Sequence, residues 1–404
     1  MSYNKRSFGE RKNSNYRKSN SKFRGKRNAR SKQRINPAQF INKNIAEKTT
    51  APKYVPTNLF SDFDLNKIIA TNLETAGFIA PSPVQDKAIP LILAGKDVIG
   101  LANTGTGKTA AFMLPILNKL ATKRQSSSVL IMAPTRELAQ QIDAEFRKFS
   151  AGMKLYSAVC VGGINIGPQI RQLQRGPHII IGTPGRLKDL MDRKMINTST
   201  ITTLVLDEAD RMLDMGFIND IKDIIGRLPS ENRQTLCFSA TMSEGVKKIT
   251  HDFMHNPELV SVKVNETNNH IYQDIIEFVD ENHKKDQLIG LLKKDDFAKV
   301  IVFGETKYGV QRLSDSLRQQ GIQSSAIHGN KSQGQRNRAL KAFANNEVTV
   351  LIATDVASRG LDIPDVSHVI NFDLPQSYDD YIHRIGRTGR GGKQGTALTF
   401  VKNS

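Results

Sequence analysis

The fold of this chain is decided by the stretch Ala102-Asn103-Thr104-Gly105-Thr106-Gly107-Lys108-Thr109. An apolar run, 97–101, comes before it, and a run of helical character, 110–114, follows it. In such a strand–turn–helix unit the backbone N–H groups of the turn and the N-terminus of the helix hold phosphate oxygens. The pattern is that of a phosphate-binding loop with Ala102 in place of the first glycine. It predicts that Lys108 reaches the β- and γ-phosphates of a nucleotide and that Thr109 ligates Mg²⁺.

The net charge of +19 is concentrated at one end of the 404-residue chain. Residues 1–53 carry +14 of it, so the remaining residues carry +5. The region 1–53 is poor in aliphatic residues, so we expect a disordered basic tail. Aromatic residues lie among its basic ones, which favours RNA or duplex backbones as the polyanionic partner. An acidic membrane surface and a merely solvated tail are the alternatives.

The two cysteines, Cys160 and Cys237, lie in or beside apolar runs, and the sequence contains no Cys/His cluster. We therefore expect two buried thiols in a reducing compartment, and neither a disulfide framework nor a zinc site. No apolar run approaches the roughly 18–20 residues of a membrane helix, and no apolar segment of a secretory signal follows the basic N-terminus. These features predict a cytoplasmic protein.

From Tyr54 onward, short apolar runs alternate with helical patterns in two series. The runs of the first series are 129–132, 178–181, 204–206 and 235–238, and those of the second are 300–303, 325–327, 348–352, 368–372 and 397–400. Strands that are apolar on both faces are covered by helices on each side. The predicted fold class is therefore α/β, with two doubly wound parallel-sheet domains, 54–263 and 271–404, joined by the polar linker 264–270.

Polar clusters follow the predicted strands, where open parallel sheets bind their ligands. The most informative cluster contains Asp207 and Glu208. Beside a phosphate-binding loop, we expect Asp207 to hold Mg²⁺ and Glu208 to orient and deprotonate the attacking water. The alternative is an ordinary acidic helix cap. We disfavour it because two adjacent carboxylates at a buried strand end are costly without a cation.

Three arginines, Arg384, Arg387 and Arg390, recur at regular spacing in the second half of the chain. Arginines that face a nucleotide stabilise the charge that develops on its γ-phosphate. The second half contains no Gly-Lys-Thr of its own. We therefore predict that these arginines act on the nucleotide held by the first half, and a solvated basic turn is the alternative.

The stretch Asp207-Glu208-Ala209-Asp210 is a literal D-E-A-D, and the chain resembles the DEAD-box ATP-dependent RNA helicases of bacterial type. The motifs that carry the resemblance extend from about Phe60 to the end of the chain. The resemblance implies two RecA-like domains, ATP and Mg²⁺ as cofactors, and RNA as the partner. The implied activity is an RNA-stimulated ATPase that unwinds or remodels RNA duplexes and RNA–protein complexes with little sequence preference.

The resemblance also assigns roles to individual residues. ATP binding is assigned to Phe60, Gln85, the stretch 102–109, Asp355 and Asp362, and catalysis to Lys108, Asp207, Glu208, Arg387 and Arg390. Coupling of hydrolysis to strand separation is assigned to Asp210, Ser239, Thr241 and His383. Contacts with the RNA backbone are assigned to Pro134, Thr135, Arg136, Gly162, Gly163, Thr183, Pro184, Gly185, Arg186, Thr306, Gln333, Arg336 and Thr354.

Two other functions stay open at this point. One is an RNA chaperone or annealer that acts through the basic tail and uses ATP as a clamp. The other is a motor that translocates on DNA, against which the D-E-A-D and Gln85 motifs argue. We expect a monomer with ribonucleoprotein partners. The chain ends at Ser404, directly after the last predicted strand, where the family usually continues into another helix. We therefore expect a less stable second domain or a partner on that face.

Overall fold

The computed structural model describes residues 37–43, 54–103, 105–262, 270–358, 363, 365–389 and 393–403. The expectations for Thr104, Asp362 and Arg390 lie outside the described residues, as do those for most of the tail 1–53 and most of the linker 264–270. Residues 35–404 form one compact unit that contains two parallel sheets.

The first domain is a seven-stranded parallel sheet with the strand order β3-β4-β2-β5-β6-β1-β7. Its strands are β1 Val98–Leu101, β2 Val129–Met132, β3 Ser157–Cys160, β4 Ile179–Gly182, β5 Thr203–Leu206, β6 Gln234–Ser239 and β7 Glu258–Ser261. Its helices are α1 Lys67–Thr75, α2 Pro83–Leu93, α3 Lys108–Thr122, α4 Arg136–Phe149, α5 Ile166–Gln174, α6 Pro184–Asp192, α7 Ala209–Asp214, α8 Ile218–Gly226 and α9 Glu244–Phe253. Short 3-10 turns occupy Phe60–Phe63 and Thr198–Thr200.

The interior strand β2 shows why this sequence forms a sheet covered on both faces. Successive side chains of a strand point to opposite faces. Val129 and Ile131 enter one apolar core, and Leu130 and Met132 enter the core on the other face. Every residue of β2 is buried, because helices pack on both faces of the sheet. The predicted doubly wound arrangement is therefore confirmed for this domain.

The second domain is a six-stranded parallel sheet with the order β10-β11-β9-β12-β13-β8. Its strands are β8 Ile271–Phe278, β9 Val300–Phe303, β10 Ser324–Ile327, β11 Val350–Ala353, β12 His368–Asn371 and β13 Gly395–Lys402. Its helices are α10 Glu281–Leu292, α11 Lys307–Gln319, α12 Gln333–Ala344, α13 Asp355–Ser358 and α14 Tyr378–Ile385. Apolar cores again lie on both faces of the sheet, so the predicted two-domain α/β fold is confirmed.

Residues 37–43, which we call the N-terminal segment, depart from the predicted disordered tail. A 3-10 turn spans Pro37–Phe40, and Asn42 forms an antiparallel bridge with Gln273 on β8. The ring of Phe40 is fully buried. The prediction of disorder is wrong for these residues, because a short apolar stretch finds its burial in the second domain rather than in its sequence neighbours.

Three further expectations concern the cysteine thiols, a metal site and a membrane-spanning helix. Both cysteines are free and buried, and burial raises the pKa of each thiol to about 12. The described residues contain no group of three or more His, Cys, Asp or Glu side chains suited to holding a metal ion. None of the described helices has the length and apolar character that crossing a membrane requires.

Candidate active site

The phosphate-binding loop lies between β1 and α3, as the sequence predicts. Gly105 and Gly107 adopt positive φ angles of 82° and 90°, which glycine tolerates without strain. A Cβ on Gly107 would also overlap the amide of Gln85. Lys108 is the first residue of α3, and its buried Nζ donates to the carbonyl of Ala102 at 2.9 Å. This hydrogen bond holds the Lys108 ammonium against Ala102, the residue at the start of the loop.

The predicted acidic pair lies directly beyond β5, on the wall of the same cavity as Lys108 and Thr109. Asp207 is buried, and its Oδ1 accepts a hydrogen bond from the N–H of Glu208 at 3.0 Å. Burial raises the pKa of Asp207 to about 7, against the opposing effect of the Lys108 charge. Glu208 has a left-handed backbone, φ 52°, and its buried Oε2 has no hydrogen-bond partner. A site with a costly carboxylate and an unsatisfied acceptor fits a cation and a water molecule.

The predicted ATP-binding residue Gln85 lies at the other end of this cavity, whose volume is about 350 Å³. Gln85 is on α2, where its Oε1 accepts from the N–H of Ser82 at 2.9 Å and its Nε2 donates to the carbonyl of Gly107 at 3.1 Å. Phe78 lines the cavity, and the ring of Phe60 packs edge-on against it at 6.0 Å between centroids. Gln85 thus ties α2 to the glycine-rich loop, and Phe78 is a wall residue to which the sequence assigned no role of its own.

The predicted coupling residues of the first domain form one hydrogen-bonded unit. The Oδ2 atom of Asp210 accepts from the N–H of Ala240 at 3.1 Å and from the N–H and Oγ1 of Thr241 at 2.9 and 3.1 Å. Ser239 donates from its Oγ to the carbonyl of Thr241 at 2.8 Å. The end of β6 is therefore fastened to α7, directly after the acidic pair. The fourth coupling residue, His383, lies on α14 of the second domain.

One of the three arginines, Arg384, has a different role from the one that the spacing predicts. Arg384 is only 2% exposed and makes a bidentate ion pair with Asp355, at 2.6 and 2.7 Å. Its Nη1 also donates to the side chain of Asn371 at 3.2 Å. The prediction that Arg384 faces the nucleotide is therefore wrong, because its donors are occupied within the domain. Arg387, two residues after α14, is buried as well.

Ion pairs join the two domains at positions that sequence reasoning did not connect. Glu137, on α4, accepts from Gln333 Nε2 at 3.0 Å and pairs with Arg336 Nη2 at 3.0 Å. Arg211, on α7, lies 3.8 Å from Asp380 on α14. Gln333 and Arg336 were predicted to contact RNA, which stays a prediction, and their described partners include a side chain of the other domain. Sequence separation of nearly two hundred residues left no local signal for the Glu137 contacts.

The predicted RNA contacts of the first domain gather at the carboxyl ends of β2, β3 and β4. Gly163 has a positive φ of 70°, and a Cβ there would overlap the guanidinium of Arg136. Arg186 donates from Nη2 to the carbonyl of Ile164 at 3.2 Å, while its buried Nη1 has no partner. Thr135 caps α4, and Thr183 precedes α6. Two arginines and two helix N-termini thus face the same region, together with the remaining predicted residues Pro134, Gly162, Pro184 and Gly185.

The matching residues of the second domain also lie at strand ends. Thr306 follows β9 and caps α11, where its Oγ1 accepts from the N–H of Gly309 at 3.0 Å. Thr354 follows β11 and is nearly buried. Both hydroxyls therefore lie at the carboxyl ends of strands in the second sheet. The predicted RNA contacts of the first domain lie at the corresponding ends of strands in the first sheet.

Family models match both halves of the chain. The model described as DEAD/DEAH box helicase matches residues 82–249, and the helicase conserved C-terminal domain matches residues 283–392. The ATP-dependent RNA helicase CshA of Listeria monocytogenes is 46% identical over 343 residues, which cover 85% of this chain and 66% of that protein. The DEAD-box ATP-dependent RNA helicase CshA of Bacillus licheniformis is 47% identical over 346 residues, which cover 85% of this chain and 71% of that protein.

Solved structures resemble this fold over most of its length. S. cerevisiae Dbp5 bound to RNA and ADP BeF3 has a TM-score of 0.76 at 33% identity, covering 86% of this chain and 90% of that one. Mss116p bound to ssRNA and AMP-PNP has a TM-score of 0.76 at 34% identity, covering 84% of this chain and 73% of that one. With both family models, close bacterial relatives and the matching two-domain geometry, this chain belongs to the DEAD-box ATP-dependent RNA helicases.

Proposed function

We propose that this protein couples ATP binding and hydrolysis to local, largely sequence-independent unwinding of short RNA duplexes or remodelling of RNA–protein complexes. One observation carries the proposal: the residues suited to ATP chemistry are divided between two domains, and side chains join these domains across the cleft. Glu137, next to the predicted RNA contact Arg136, provides such a link, because its partners Gln333 and Arg336 are predicted RNA contacts of the other domain. A site assembled from both domains depends on whatever brings the domains together.

In the chemical step, Lys108 and the N–H groups of the loop bind the β- and γ-phosphates. Glu208 orients the attacking water and takes its proton through the buried Oε2, which has no other partner. Thr109 and Asp207 would hold Mg²⁺, which neutralises charge on the phosphates when it is bound. Arg387 stabilises the charge that develops on the γ-phosphate, together with Arg390.

RNA is bound through its backbone in this proposal. The donors at the strand ends are helix N-termini and the partly buried side chains of Arg136 and Arg186, groups that contact phosphates without reading bases. The orphan Nη1 of Arg186 is a donor in need of such an acceptor. The similar structures of Dbp5 and Mss116p, which hold RNA and a nucleotide together, support the same arrangement here.

Hydrolysis is transmitted to the RNA through the Asp210 unit. Asp210 follows Glu208 by two residues and holds Thr241 at the end of β6. A shift of the acidic pair on phosphate release therefore moves this strand end. We also propose that the protein acts as a monomer in the cytoplasm with ribonucleoprotein partners, which agrees with its two free buried thiols.

The test is steady-state ATPase activity with and without single-stranded RNA, for the wild type and Glu208→Gln. We expect RNA to stimulate hydrolysis strongly, and the substitution to lower kcat by about 10²–10⁴-fold while ATP still binds. Glu231→Gln, an exposed glutamate on the same domain, is the matched control and should behave like the wild type. Hydrolysis that does not respond to RNA, or that survives in Glu208→Gln, would contradict the proposal.

A further inference from the structure

The N-terminal segment, 37–43, forms part of the second domain, although the whole first domain separates the two in sequence. Asn42 donates to the carbonyl of Gln273 at 2.9 Å and accepts from its N–H at 3.0 Å. Lys43 adds an ion pair with Asp274 at 3.1 Å. Strand β8 is the edge of the second sheet, so the segment covers backbone groups that would otherwise be open.

The anchor of the segment is the side chain of Phe40. It is fully buried and packs against Tyr381 with 4.7 Å between ring centroids. Phe40, Ile271, Tyr381, Ile385 and Ala397 form a separate apolar cluster in the second domain. A ring at 0% exposure in a cluster of this size contributes much of the cluster's buried surface.

The cluster lies on one side of α14. Tyr381 and Ile385 are one turn apart and pack into it, and the hydroxyl of Tyr381 donates to Gln273 at 2.9 Å. The same residue, Gln273, is the one that Asn42 pairs with through its backbone. The segment, the edge strand and the helix are thus joined by both packing and hydrogen bonds.

The residues of α14 that face away from this apolar cluster include one that is hydrogen-bonded to the proposed catalytic arginine. His383 and Arg384 lie between Tyr381 and Ile385, and Arg384 is held by Asp355. The N–H of Arg387 donates to the carbonyl of Arg384 at 3.2 Å, so the turn after the helix continues its backbone bonding. The position of Arg387 therefore follows the position of the helix.

We propose that Phe40 is a positioning residue for ATP hydrolysis: it packs against α14 and so sets the place of Arg387 at the nucleotide. This inference rests on the catalytic role proposed for Arg387. The N-terminal segment then has a role in catalysis that the basic composition of residues 1–53 does not predict. The side chain acts through the helix and does not touch the nucleotide.

The test uses the full chain with saturating RNA, at a temperature where circular dichroism shows each variant folded. Phe40→Ala should lower kcat about tenfold, with the KM for ATP changed less than about twofold, because displaced catalytic groups lower turnover rather than binding to the first domain. Phe40→Leu should restore most of the rate. Ile41→Ala, a substitution of the neighbouring residue that is 42% exposed, is the matched control and should leave kcat unchanged.

A double-mutant cycle separates positioning from a merely structural role. In an Arg387→Ala background, measured by single-turnover hydrolysis with excess enzyme, Phe40→Ala should lose its effect on the rate. A tenfold loss that persists in this background overturns the inference, and so does a Phe40→Ala variant that only melts at a lower temperature. Normal turnover in Arg387→Ala alone would instead refute the catalytic role of that arginine, so the two failures are distinguishable.

Two truncations provide an independent measurement. A chain that begins at residue 37 and a chain that begins at residue 44 both lack the basic region before the segment, and they differ only in residues 37–43. We expect the first to keep the kcat of the full chain and the second to show the loss seen in Phe40→Ala. Equal kcat values for the two truncated chains would overturn the inference.

Discussion

Asp207 and Asp355 both lie just beyond a buried parallel strand, and the two domains treat these carboxylates in opposite ways. Asp207, after β5, is buried, and burial raises its pKa to about 7. Asp355, after β11, is neutralised by the bidentate contact with Arg384. A domain that satisfies its own charge has a structural ion pair there. The carboxylate for which the described residues offer no such ion pair is the one predicted to hold a cation.

The loops that join a strand to the following helix also differ between the two domains. Between β1 and α3 the chain takes six residues, 102–107, and two of them are glycines with positive φ. Between β9 and α11 it takes three residues, 304–306, and a Cβ on Gly304 would lie 2.9 Å from the side chain of Val310. The longer loop has room to surround phosphates and the shorter one does not. The same fold therefore leaves room for a phosphate-binding loop in one domain and forms a tightly packed junction in the other.

The largest expected effect comes from removing the partner of Asp355. Arg384→Ala removes the buried guanidinium that pairs with Asp355 and should lower the free energy of unfolding by about 3–5 kcal/mol. Urea denaturation of the full chain measures this. Arg227→Ala is the matched control, because Arg227 pairs with Asp192 and Asp223 at 2.6 and 2.7 Å but is about a third exposed. It should cost much less than Arg384→Ala, because solvent screens an exposed ion pair. Equal losses for both variants would show that the Asp355–Arg384 pair stabilises the protein no more than an exposed ion pair does.

A smaller effect is expected from pH and Asp207, in ligand-free protein with EDTA. Its pKa is about 7 when folded and ordinarily 3.8, so the folded state holds the extra proton between these values. The free energy of unfolding should therefore fall as the pH rises from about 4 to 7. Asp207→Asn should remove this contribution and be more stable than the wild type at pH 8, by on the order of 2–4 kcal/mol.

The measurement is urea denaturation of the wild type and Asp207→Asn at several pH values. Parallel pH profiles for the two proteins would show that ionisation of Asp207 does not lower the free energy of unfolding. If the wild-type stability rises through this pH window while that of Asp207→Asn does not change, folding lowers the pKa of Asp207 and the prediction is wrong.

The smallest effect concerns the helix caps that the two domains share. Thr135 accepts from the N–H of Leu138 at 3.2 Å, and Thr306 accepts from the N–H of Gly309 at 3.0 Å. Thr306→Ala should lower the free energy of unfolding by about 1 kcal/mol, and Thr135→Ala by a similar amount, because each removes one acceptor from a helix N-terminus. Thr306→Ser keeps the cap and should be close to neutral. A cost confined to one domain would show that the caps are not equivalent.

Much of this molecule could be predicted from local sequence. The alternation of apolar runs predicted both sheets, and the pattern around Lys108 predicted the loop and its helix, because burial on two faces and close backbone approach leave local signatures. Arg384 could not be distinguished from Arg387 in this way. Their spacing is regular, but only the packing of α14 decides which guanidinium meets Asp355.

Sequence by itself determined the two-domain α/β class, the nucleotide end of the first sheet and the family, since these depend on patterns within short stretches of chain. Tertiary structure alone decided that Phe40 completes the second domain, that Glu137 meets Arg336 across the cleft, and that Asp355 is neutralised while Asp207 is not. The physical reason is that burial and charge pairing are set by which distant segments come together. Local periodicity carries no information about that choice.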